Sequence, residues 1–353
     1  MSLSKPEQER YQRHIILPGF GSEAQEKLKA SSILVIGAGG LGCPALLYLV
    51  SSGFGRIGIL DDDVVSESNL HRQVLYSSSD VGQSKTMVAK AKLTVINPFV
   101  EIEAFQTKID STNALELISG FDIVMDGSDN FSTRYLVNDA CVILNKPLIS
   151  GSIFTFEGQV SVFNYQNGPT YRCLFSQPPS ALEMPNCSEI GVLGVLPGVV
   201  GTIMATEAIK VATNIGEVLS GKLLVYNALN MDFHKLDFEL VPENRLIKNL
   251  SDLSFECAVI NEISAFELKK KIYEKENFQL IDVREKEEFD AFNIGGENYP
   301  LSQIVSFASR ISKDGKTIVH CKTGGRSKKA IEILERDFGF TNLINLKNGL
   351  SEW

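Results

Sequence analysis

A glycine-rich turn between a predicted strand and a predicted helix limits the fold of this chain more than any other feature. Residues 32–42 read SILVIGAGGLG, in which an apolar, β-branched run leads into Gly37, Gly39 and Gly42 in GxGxxG spacing. Glycines here allow a tight turn, and the helix that follows directs its free N–H groups at a phosphate. Asp61, near the end of the next apolar run, is suited to accept ribose hydroxyls. The motif predicts a nucleotide-binding α/β domain, and NAD, FAD and ATP sites all share it.

Apolar runs on either side of this motif indicate a mostly parallel sheet. Strand-like runs at 32–36, 57–60, 121–125 and 148–150 are separated by helical patterns, for example at 41–52 and 84–96. Strands that alternate with helices in this way build a parallel sheet with right-handed crossovers. After residue 158 the pattern changes to strand-like runs at 159–164 and 223–226, with a helix near 198–212.

A second α/β pattern follows a polar, irregular segment. Beyond residues 241–257 lie predicted strands at 278–283 and 317–320 and a predicted helix at 327–337. A chain of 353 residues is too long for one ordinary core. We therefore expect a nucleotide-binding domain of residues 1–240, a linker of residues 241–257, and a smaller domain of residues 258–353.

Composition and charge exclude several classes of protein. The net charge of -9 argues against nucleic acid as the main partner, because a phosphate-binding surface needs a basic excess. The N-terminal residues MSLSKPEQER lack the apolar core of a signal peptide, and no stretch is suited to a membrane span. The six cysteines are scattered and include no CxxC pair, which favours a reducing cytoplasm over a disulfide framework.

Polar residues near the ends of the predicted strands favour a triphosphate over a dinucleotide. Residues 68–73 read SNLHRQ and Lys85 follows, so guanidinium, ammonium and amide groups are available for phosphates. Asp129 follows the third predicted strand, and a carboxylate beside phosphates usually binds Mg²⁺. A NAD-linked oxidoreductase would leave Arg72, Lys85 and Asp129 unexplained. The predicted nucleotide-binding residues are Gly37, Gly39, Gly40, Gly42, Asp61, Asp63, Ser68, Asn69, Leu70, His71, Arg72, Gln73, Lys85, Asp129 and Asn130.

These motifs together resemble one family. RYQRHIIL (10–17), GAGGLG, DDDVVSESNLHRQ, GQSK, DGSDN and GQVSVF are similar to bacterial adenylyltransferases that activate sulfur-carrier proteins for molybdopterin and thiamine synthesis, relatives of ubiquitin-activating enzymes. The resemblance covers roughly the first two-thirds of the chain. It implies that the Gly-Gly carboxylate of a ubiquitin-like carrier attacks the α-phosphate of ATP, giving an acyl-adenylate and pyrophosphate.

The resemblance also implies roles for individual residues. It assigns the ribose to Asp61, Mg²⁺ to Asp129 and phosphates to Asn69, Arg72 and Lys85. Arg13 is expected to reach the phosphates from the partner subunit of a homodimer. Among these, Arg13 and Arg72 are the expected catalytic residues, since cations offset the charge that builds on the phosphates.

Two cysteines of this region call for separate interpretation. Cys187 lies in the proline-punctuated segment SQPPSALEMPNCSEIG, which predicts an exposed loop. The resemblance implies that Cys187 accepts the acyl group or takes part in sulfur transfer, and a passive surface thiol is the alternative. Relatives often bind structural zinc with two CxxC pairs, but here the first reads TYRC (170–173) and residues 241–251 contain no cysteine. We therefore expect no structural zinc and a packed Cys173.

A cysteine-containing loop dominates the last third of the chain. Residues 318–327 read IVHCKTGGRS, which predicts a strand, a glycine-rich loop and a helix that begins near Ser327. Such a loop should turn several amide N–H groups toward the Cys321 sulfur, while Lys322 and Arg326 add positive charge that favours thiolate or persulfide. Four residues separate Cys321 from Arg326, one fewer than in a tyrosine-phosphatase loop. The expected persulfide loop comprises Cys321, Lys322, Thr323, Gly324, Gly325 and Arg326.

With LIDVREKEEFDAFNIGGENYPL upstream and NLKNGLSEW at the end, this third resembles a rhodanese domain. Asp282 and Arg284 are expected to organise that domain rather than carry chemistry. Because Cys321 is present, activity is expected, and an inert docking module is the alternative. The expected fold is therefore α/β, a Rossmann-like adenylation domain of the ubiquitin-activating type followed by a smaller α/β rhodanese domain.

The two sites predict consecutive steps. The first domain would make the acyl-adenylate, a persulfide on Cys321 would attack it to leave a thiocarboxylate on the carrier, and Cys187 would resolve the acyl-disulfide. A cysteine desulfurase is the expected sulfur donor. Three other functions stay open: an adenylating enzyme directed at tRNA, a NAD-linked oxidoreductase, and a non-catalytic scaffold that docks a ubiquitin-like protein.

Overall fold

The computed structural model describes residues 2–177, 191–250 and 260–353, which form two compact units. The first unit takes the described residues up to 250, and the second takes residues 260–353. Cys187 and the last part of the expected linker, residues 251–257, lie outside the described residues. The domain boundaries expected from the sequence, at 240 and 258, stay predictions.

The first unit is built on an eight-stranded sheet in the order β3-β2-β1-β4-β5-β6-β7-β8. Its strands are β1 Ser32–Ile36, β2 Arg56–Leu60, β3 Glu101–Phe105, β4 Ile123–Asp126, β5 Leu148–Phe154, β6 Glu157–Phe163, β7 Lys222–Asn227 and β8 Asp232–Asp237. Strands β1 to β5 are parallel, and β6 to β8 continue the sheet in antiparallel pairs. The expected parallel sheet is therefore confirmed.

Helices cover both faces of this sheet. They are α1 Lys5–Arg10, α2 Gln12–Ile15, α3 Gly21–Ala30, α4 Gly42–Ser52, α5 Lys85–Ile96, α6 Ala114–Ser119, α7 Phe131–Ile143, α8 Tyr171–Leu174 and α9 Leu196–Thr213. Along β1, Ile33 and Val35 join one apolar cluster while Leu34 and Ile36 join another. Side chains alternate across a strand, so this central strand is buried on both faces.

The second unit has a five-stranded parallel sheet in the order β11-β10-β12-β13-β9. Its elements are β9 Asn261–Ile263, α10 Ala265–Tyr273, β10 Phe278–Asp282, α11 Lys286–Ala291, β11 Glu297–Asn298, α12 Ile304–Phe307, β12 Lys316–His320, α13 Gly325–Phe338 and β13 Leu343–Leu346. The α/β pattern predicted here is confirmed. None of the helices in the described parts of either unit combines the length and apolar character that crossing a membrane requires.

Candidate functional site

Three strands of the first sheet end together and bring their loops to one edge. Ile36 of β1 pairs with Leu60 of β2 and with Asp126 of β4, so the segments that follow these residues leave the sheet side by side. Gly37 has φ +90°, and a Cβ there would lie 3.1 Å from the Gly127 carbonyl oxygen. The glycine loop after β1 and the loop after β4 are therefore in close contact, at the carboxyl edge where α/β sheets bind ligands.

The glycine loop turns tightly into α4. A Cβ on Gly42 would lie 1.9 Å from the Gly37 carbonyl oxygen, which no side chain could accommodate. A Cβ on Gly40 would lie 3.8 Å from Arg72 Cδ. A Cβ on Gly39 would lie 3.6 Å from Gln73 Nε2. The 68–73 segment thus approaches the loop, as predicted from the motifs.

Asp61 and Lys85 form the charged centre of this edge. Asp61 Oδ2 accepts a 2.7 Å hydrogen bond from the Ala38 N–H, which ties the carboxylate to the glycine loop. Lys85 Nζ lies 2.7 Å from Asp63 Oδ2 and 3.9 Å from Asp61 Oδ1, and its side chain is only 5% exposed. Burial raises the pKa of Asp61, and the Lys85 charge opposes that rise. A buried ammonium group is therefore held beside the glycine loop.

The Arg72 guanidinium is held by its own segment. Its Nη2 donates to Asn69 Oδ1 at 2.8 Å, and its Nη1 donates to the Ser68 carbonyl at 3.3 Å. His71 Nδ1 lies 3.0 Å from the same carbonyl. Gln73 is buried, and its Oε1 has no hydrogen-bond partner among the described residues. Arg72 is thus oriented while part of its five-donor fork stays available.

The loop that carries Asp129 is braced at both ends. Asp126 is wholly buried, accepts the Ser128 N–H at 2.9 Å, and has its pKa raised by burial, which Arg134 opposes. Arg134 Nη2 donates to the Ser128 carbonyl at 3.0 Å. At the other end, Asn130 Oδ1 caps α7 by accepting the Thr133 N–H at 2.8 Å. Asp129 between them is exposed.

Candidate metal ligands in the first unit are few. We looked within residues 2–177, 191–250 and 260–353 for acidic, histidine or cysteine side chains that could share a metal ion. One group of three has its ligand atoms within 4.8 Å of one another, and it consists of Asp61, Asp62 and Asp63. Asp129 is not a member of that group. An acidic cluster in solvent is common without a metal, so the group itself assigns no site.

Cys173 is half-buried and accepts several hydrogen bonds. Its Sγ accepts N–H groups from Thr170 and Val241, each at 3.3 Å, and from Asn244 at 3.7 Å. Burial raises the pKa of this thiol, but the hydrogen bonds outweigh burial and the net shift is downward. The sulfur therefore fixes the 241–244 segment to the first unit.

Arg13 lies apart from the glycine loop of its own chain. Arg13 is exposed on α2. Its neighbour His14 has Nδ1 3.0 Å from Gln25 Oε1. Gln25 Nε2 in turn donates to the Ser52 carbonyl at 2.7 Å, which places α2 near Ser52. Ser52 is the last residue of α4, and the glycine loop leads into its first residue. The eleven residues of this helix therefore separate Ser52 from the glycine loop by about 16 Å. The structure therefore does not bring Arg13 together with the other predicted residues of its own chain.

In the second unit, Cys321 directly follows β12 and is fully buried. The Gly324 N–H donates to its Sγ at 3.2 Å, and Ser327 Oγ lies 3.5 Å from the sulfur and 2.7 Å from Asn345 Oδ1. Within residues 260–353, Gly324 is the one residue whose backbone N–H bonds to the sulfur, so the expectation of several such groups is wrong. Gly324 takes a left-handed conformation with φ +91°, and α13 begins at Gly325, two residues before Ser327.

Arg326 does not act as an isolated cation. It forms two hydrogen bonds to Glu288, from Nη1 to Oε2 at 2.6 Å and from Nη2 to Oε1 at 2.8 Å. These bonds from Arg326 lower the pKa of Glu288 to about 2. The positive charge predicted for this loop is therefore partly offset. The motif did not identify Glu288, which lies 38 residues before Arg326.

Two further sets of contacts lie beside the segment that carries Cys321. Arg284 Nε donates to the buried Asp282 carboxylate at 3.0 and 2.9 Å, and Arg284 Nη2 donates to the Phe292 carbonyl at 2.6 Å. Asp282 and Arg284 therefore form a buried pair that also holds the Phe292 carbonyl, and their structural role stays a prediction. From the C-terminal residues, the Leu350 N–H donates to the Cys321 carbonyl at 2.9 Å.

Comparison with known proteins gives a consistent result. Residues 11–245 match the ThiF family, and residues 264–353 match the rhodanese-like domain. A Mycobacterium tuberculosis protein described as "Probable adenylyltransferase/sulfurtransferase MoeZ" is 40% identical over all of this chain and 94% of its own length. The Thermus thermophilus "Sulfur carrier protein adenylyltransferase" is 53% identical over 67% of this chain and 89% of its own length. Escherichia coli MccB shares the fold, with 24% identity and a TM-score of 0.57 over 63% of this chain and 68% of its own.

Proposed function

Since this chain belongs to the ThiF family and carries a rhodanese-like domain, we propose that it is an ATP-dependent adenylyltransferase with sulfurtransferase activity toward a sulfur-carrier protein. One observation carries the proposal: the glycine loop, Asp61 and Lys85 form a single preorganised cluster at the carboxyl edge of the sheet. A cluster with a ribose acceptor and a buried cation suits a nucleoside triphosphate.

In the first step, the carrier's terminal carboxylate attacks the α-phosphate of ATP, the bond to the leaving pyrophosphate breaks, and an acyl-adenylate forms. The Asp61 carboxylate would hold the ribose, and Lys85, Asn69 and Arg72 would hold the phosphates. Charge on the phosphates grows in the transition state, so fixed cations lower the barrier.

Asp129 would hold Mg²⁺. The ion suits this position because it takes few protein ligands and keeps several waters, and Asp129 is an exposed hard oxygen donor on a braced loop. When bound, Mg²⁺ supplies positive charge that neutralises the phosphates. For zinc, we propose that none is bound, since Thr170 stands where the first pair would need a second cysteine and residues 241–251 contain no cysteine.

In the second step, the outer sulfur of a persulfide on Cys321 attacks the carbonyl carbon of the acyl-adenylate. A C–S bond forms, the bond to the phosphate oxygen breaks, and AMP leaves. The product is an acyl-disulfide between Cys321 and the carrier. Attack on the Cys321 sulfur by the Cys187 thiolate then releases the carrier thiocarboxylate and leaves a disulfide, which an external thiol must reduce.

The partners follow from the same chemistry. The substrate would be a ubiquitin-like carrier ending in Gly-Gly, and a cysteine desulfurase would supply the persulfide sulfur. A homodimer is proposed because Arg13 lies about one helix length from the glycine loop of its own chain, and a second subunit could supply it in trans. The cytoplasm, where thiols stay reduced, is the proposed location.

The decisive experiment is ATP–pyrophosphate exchange with Mg²⁺, with and without a Gly-Gly-terminated carrier protein from the same genome. We expect exchange that depends on the carrier and that Asp129→Ala abolishes. Asp314→Ala, which removes an equally exposed carboxylate from the second unit, is the matched control and should exchange normally.

Absence of exchange with every such carrier would contradict the proposal. Exchange stimulated by tRNA instead of a carrier would favour the tRNA-directed enzyme, and carrier binding without exchange would favour the scaffold.

A further inference from the structure

Tyr76 connects parts of the candidate nucleotide site that lie far apart in the sequence. It is 6% exposed and packs in the apolar cluster that contains Ile33 and Val35 of β1. Its Oη donates to the Ala38 carbonyl at 2.9 Å and to the Lys85 carbonyl at 3.3 Å. Ala38 lies in the glycine loop between β1 and α4, and Lys85 is the first residue of α5. One hydroxyl group therefore bridges the glycine loop and the start of α5.

The backbone of Tyr76 adds a third connection. Its N–H donates to the Gln73 carbonyl at 3.1 Å, which closes the turn that follows Arg72. Burial raises the pKa of Tyr76, so the hydroxyl keeps its proton at neutral pH. A hydroxyl group has a single proton to donate, and here the two carbonyls share it. Tyr76 thus joins all three segments that the motifs assigned to the nucleotide.

The bridge belongs to a closed ring of contacts. The Ala38 N–H donates to Asp61 Oδ2 at 2.7 Å, and Lys85 Nζ lies 3.9 Å from Asp61 Oδ1. The ring therefore runs from Asp61 to Ala38, on to Tyr76 and Lys85, and back to Asp61. Because the Tyr76 hydroxyl closes this ring, it restrains the distance between the Lys85 backbone and the glycine loop.

We propose that Tyr76 is a positioning residue for adenylation, which keeps the Lys85 ammonium group in place beside the glycine loop. The inference rests on the proposed function, in which Lys85 stabilises the charge that develops on the phosphates. Tyr76 is buried and its hydroxyl bonds to backbone carbonyls, so it acts through Lys85 and not on the nucleotide itself. A cation that has moved away from its place stabilises the transition state less, and the rate falls.

Tyr76→Phe removes the bridge and keeps the ring that packs in the core. The variant should fold, because neither carbonyl is left without a donor. Cys43 Sγ also donates to the Ala38 carbonyl, at 3.3 Å. The Lys85 carbonyl lies at the start of α5, where it accepts the N–H of the residue four positions further along the helix.

The test is a double-mutant cycle in carrier-dependent ATP–pyrophosphate exchange by the full-length protein at saturating ATP and Mg²⁺. We expect Tyr76→Phe alone to lower the exchange rate at least about tenfold. In the Lys85→Met background the same change should alter the residual rate by less than about twofold, since no ammonium group remains to be positioned. Tyr299→Phe, which removes the hydroxyl of a similarly buried tyrosine in the second unit, should exchange like the wild type.

Two results would overturn the inference. One is exchange by Tyr76→Phe at the wild-type rate. The other is an equal fall of the rate in both backgrounds, which a loss of general stability would cause, because Tyr76 would then act independently of Lys85. Both results include exchange by the wild-type protein. Absence of exchange by the wild type with every carrier would instead contradict the proposed function, and this inference with it.

Discussion

Replacing Asp282 with Asn should destabilise the rhodanese-like domain by about 3–5 kcal/mol. Asp282 and Arg284 have side chains that are 0% and 7% exposed, and the Asp282 carboxylate accepts three hydrogen bonds from the Arg284 side chain and one from its backbone N–H. Without that carboxylate charge, the guanidinium stays buried with the Phe292 carbonyl as its remaining strong acceptor. A domain of the size of residues 260–353 has a total stability of about 5–14 kcal/mol, so this loss is a large fraction.

The chain offers a selective probe for this measurement. Trp353 is its single tryptophan and packs on an apolar cluster of the second unit, so tryptophan fluorescence during guanidinium chloride denaturation reports on that unit. The matched control is Asp337→Asn. It breaks the Arg336–Asp337 pair in the same domain, whose side chains are 51% and 40% exposed. Exposed pairs are screened by solvent, so the control should leave the midpoint nearly unchanged. If Asp282→Asn shifts the midpoint no more than the control does, the reasoning from burial is refuted.

Three other predictions follow from the sites. Burial lowers the pKa of His320 to about 4 from its ordinary 6.5, so its neutral form stabilises the domain above pH 6.5 and that contribution falls as pH drops toward 4. The unfolding free energy should therefore fall by about 2 kcal/mol between pH 7 and pH 5, and by clearly less in His320→Phe, in the same fluorescence assay. Lys85→Met should reduce carrier-dependent ATP–pyrophosphate exchange at least about 100-fold, because it removes the buried cation beside the phosphates. Lys90→Met, at an exposed position on the same helix, should leave the exchange unaltered. Cys321→Ser should keep this exchange but yield no carrier thiocarboxylate by mass spectrometry, and thiocarboxylate formed by that variant would contradict the role of Cys321.

Local patterns were enough to predict the buried strands. The run at 32–36 matches β1 at both ends, because a strand buried on both faces is a continuous apolar segment. By contrast, β8 was not predicted, since all six of its residues are exposed and no apolar alternation marks it. Strand β4 begins at Ile123 rather than Phe121, because the Phe121 N–H bonds to the Ile118 carbonyl at the end of α6. Tertiary hydrogen bonding moved that boundary.

Residues of the two candidate sites also differ in whether a local sequence pattern predicts them. Motif spacing pointed to Asp61 and Cys321, since Asp61 directly follows the strand after the glycine turn and Cys321 lies in a short strand-to-helix loop. Contacts between distant segments had no such pattern. Glu288 reaches Arg326 across 38 residues, and Tyr76 Oη donates to the Ala38 carbonyl at 2.9 Å across 38 residues as well. Such partners depend on how elements pack, which no local spacing encodes.

The glycine loop and the Cys321 loop each join a strand to a helix. They differ in how the positive charge beside them is balanced by carboxylates. Beside the glycine loop, Lys85 at the start of α5 is buried between acidic side chains, so ATP would meet a cation whose position is fixed before it binds. In the second, Arg326 is about one-third exposed and bonded to an equally exposed Glu288. That pair is far more exposed to solvent than Lys85, whose side chain is 5% exposed, so we expect it to open at a lower cost than displacing Lys85. Once open, Arg326 would be available to an anionic persulfide or to a bound acyl-adenylate. On the proposed function, a permanent cation would suit the step in which phosphate charge develops, and a releasable one would suit a loop that alternates between thiol, persulfide and acyl-disulfide.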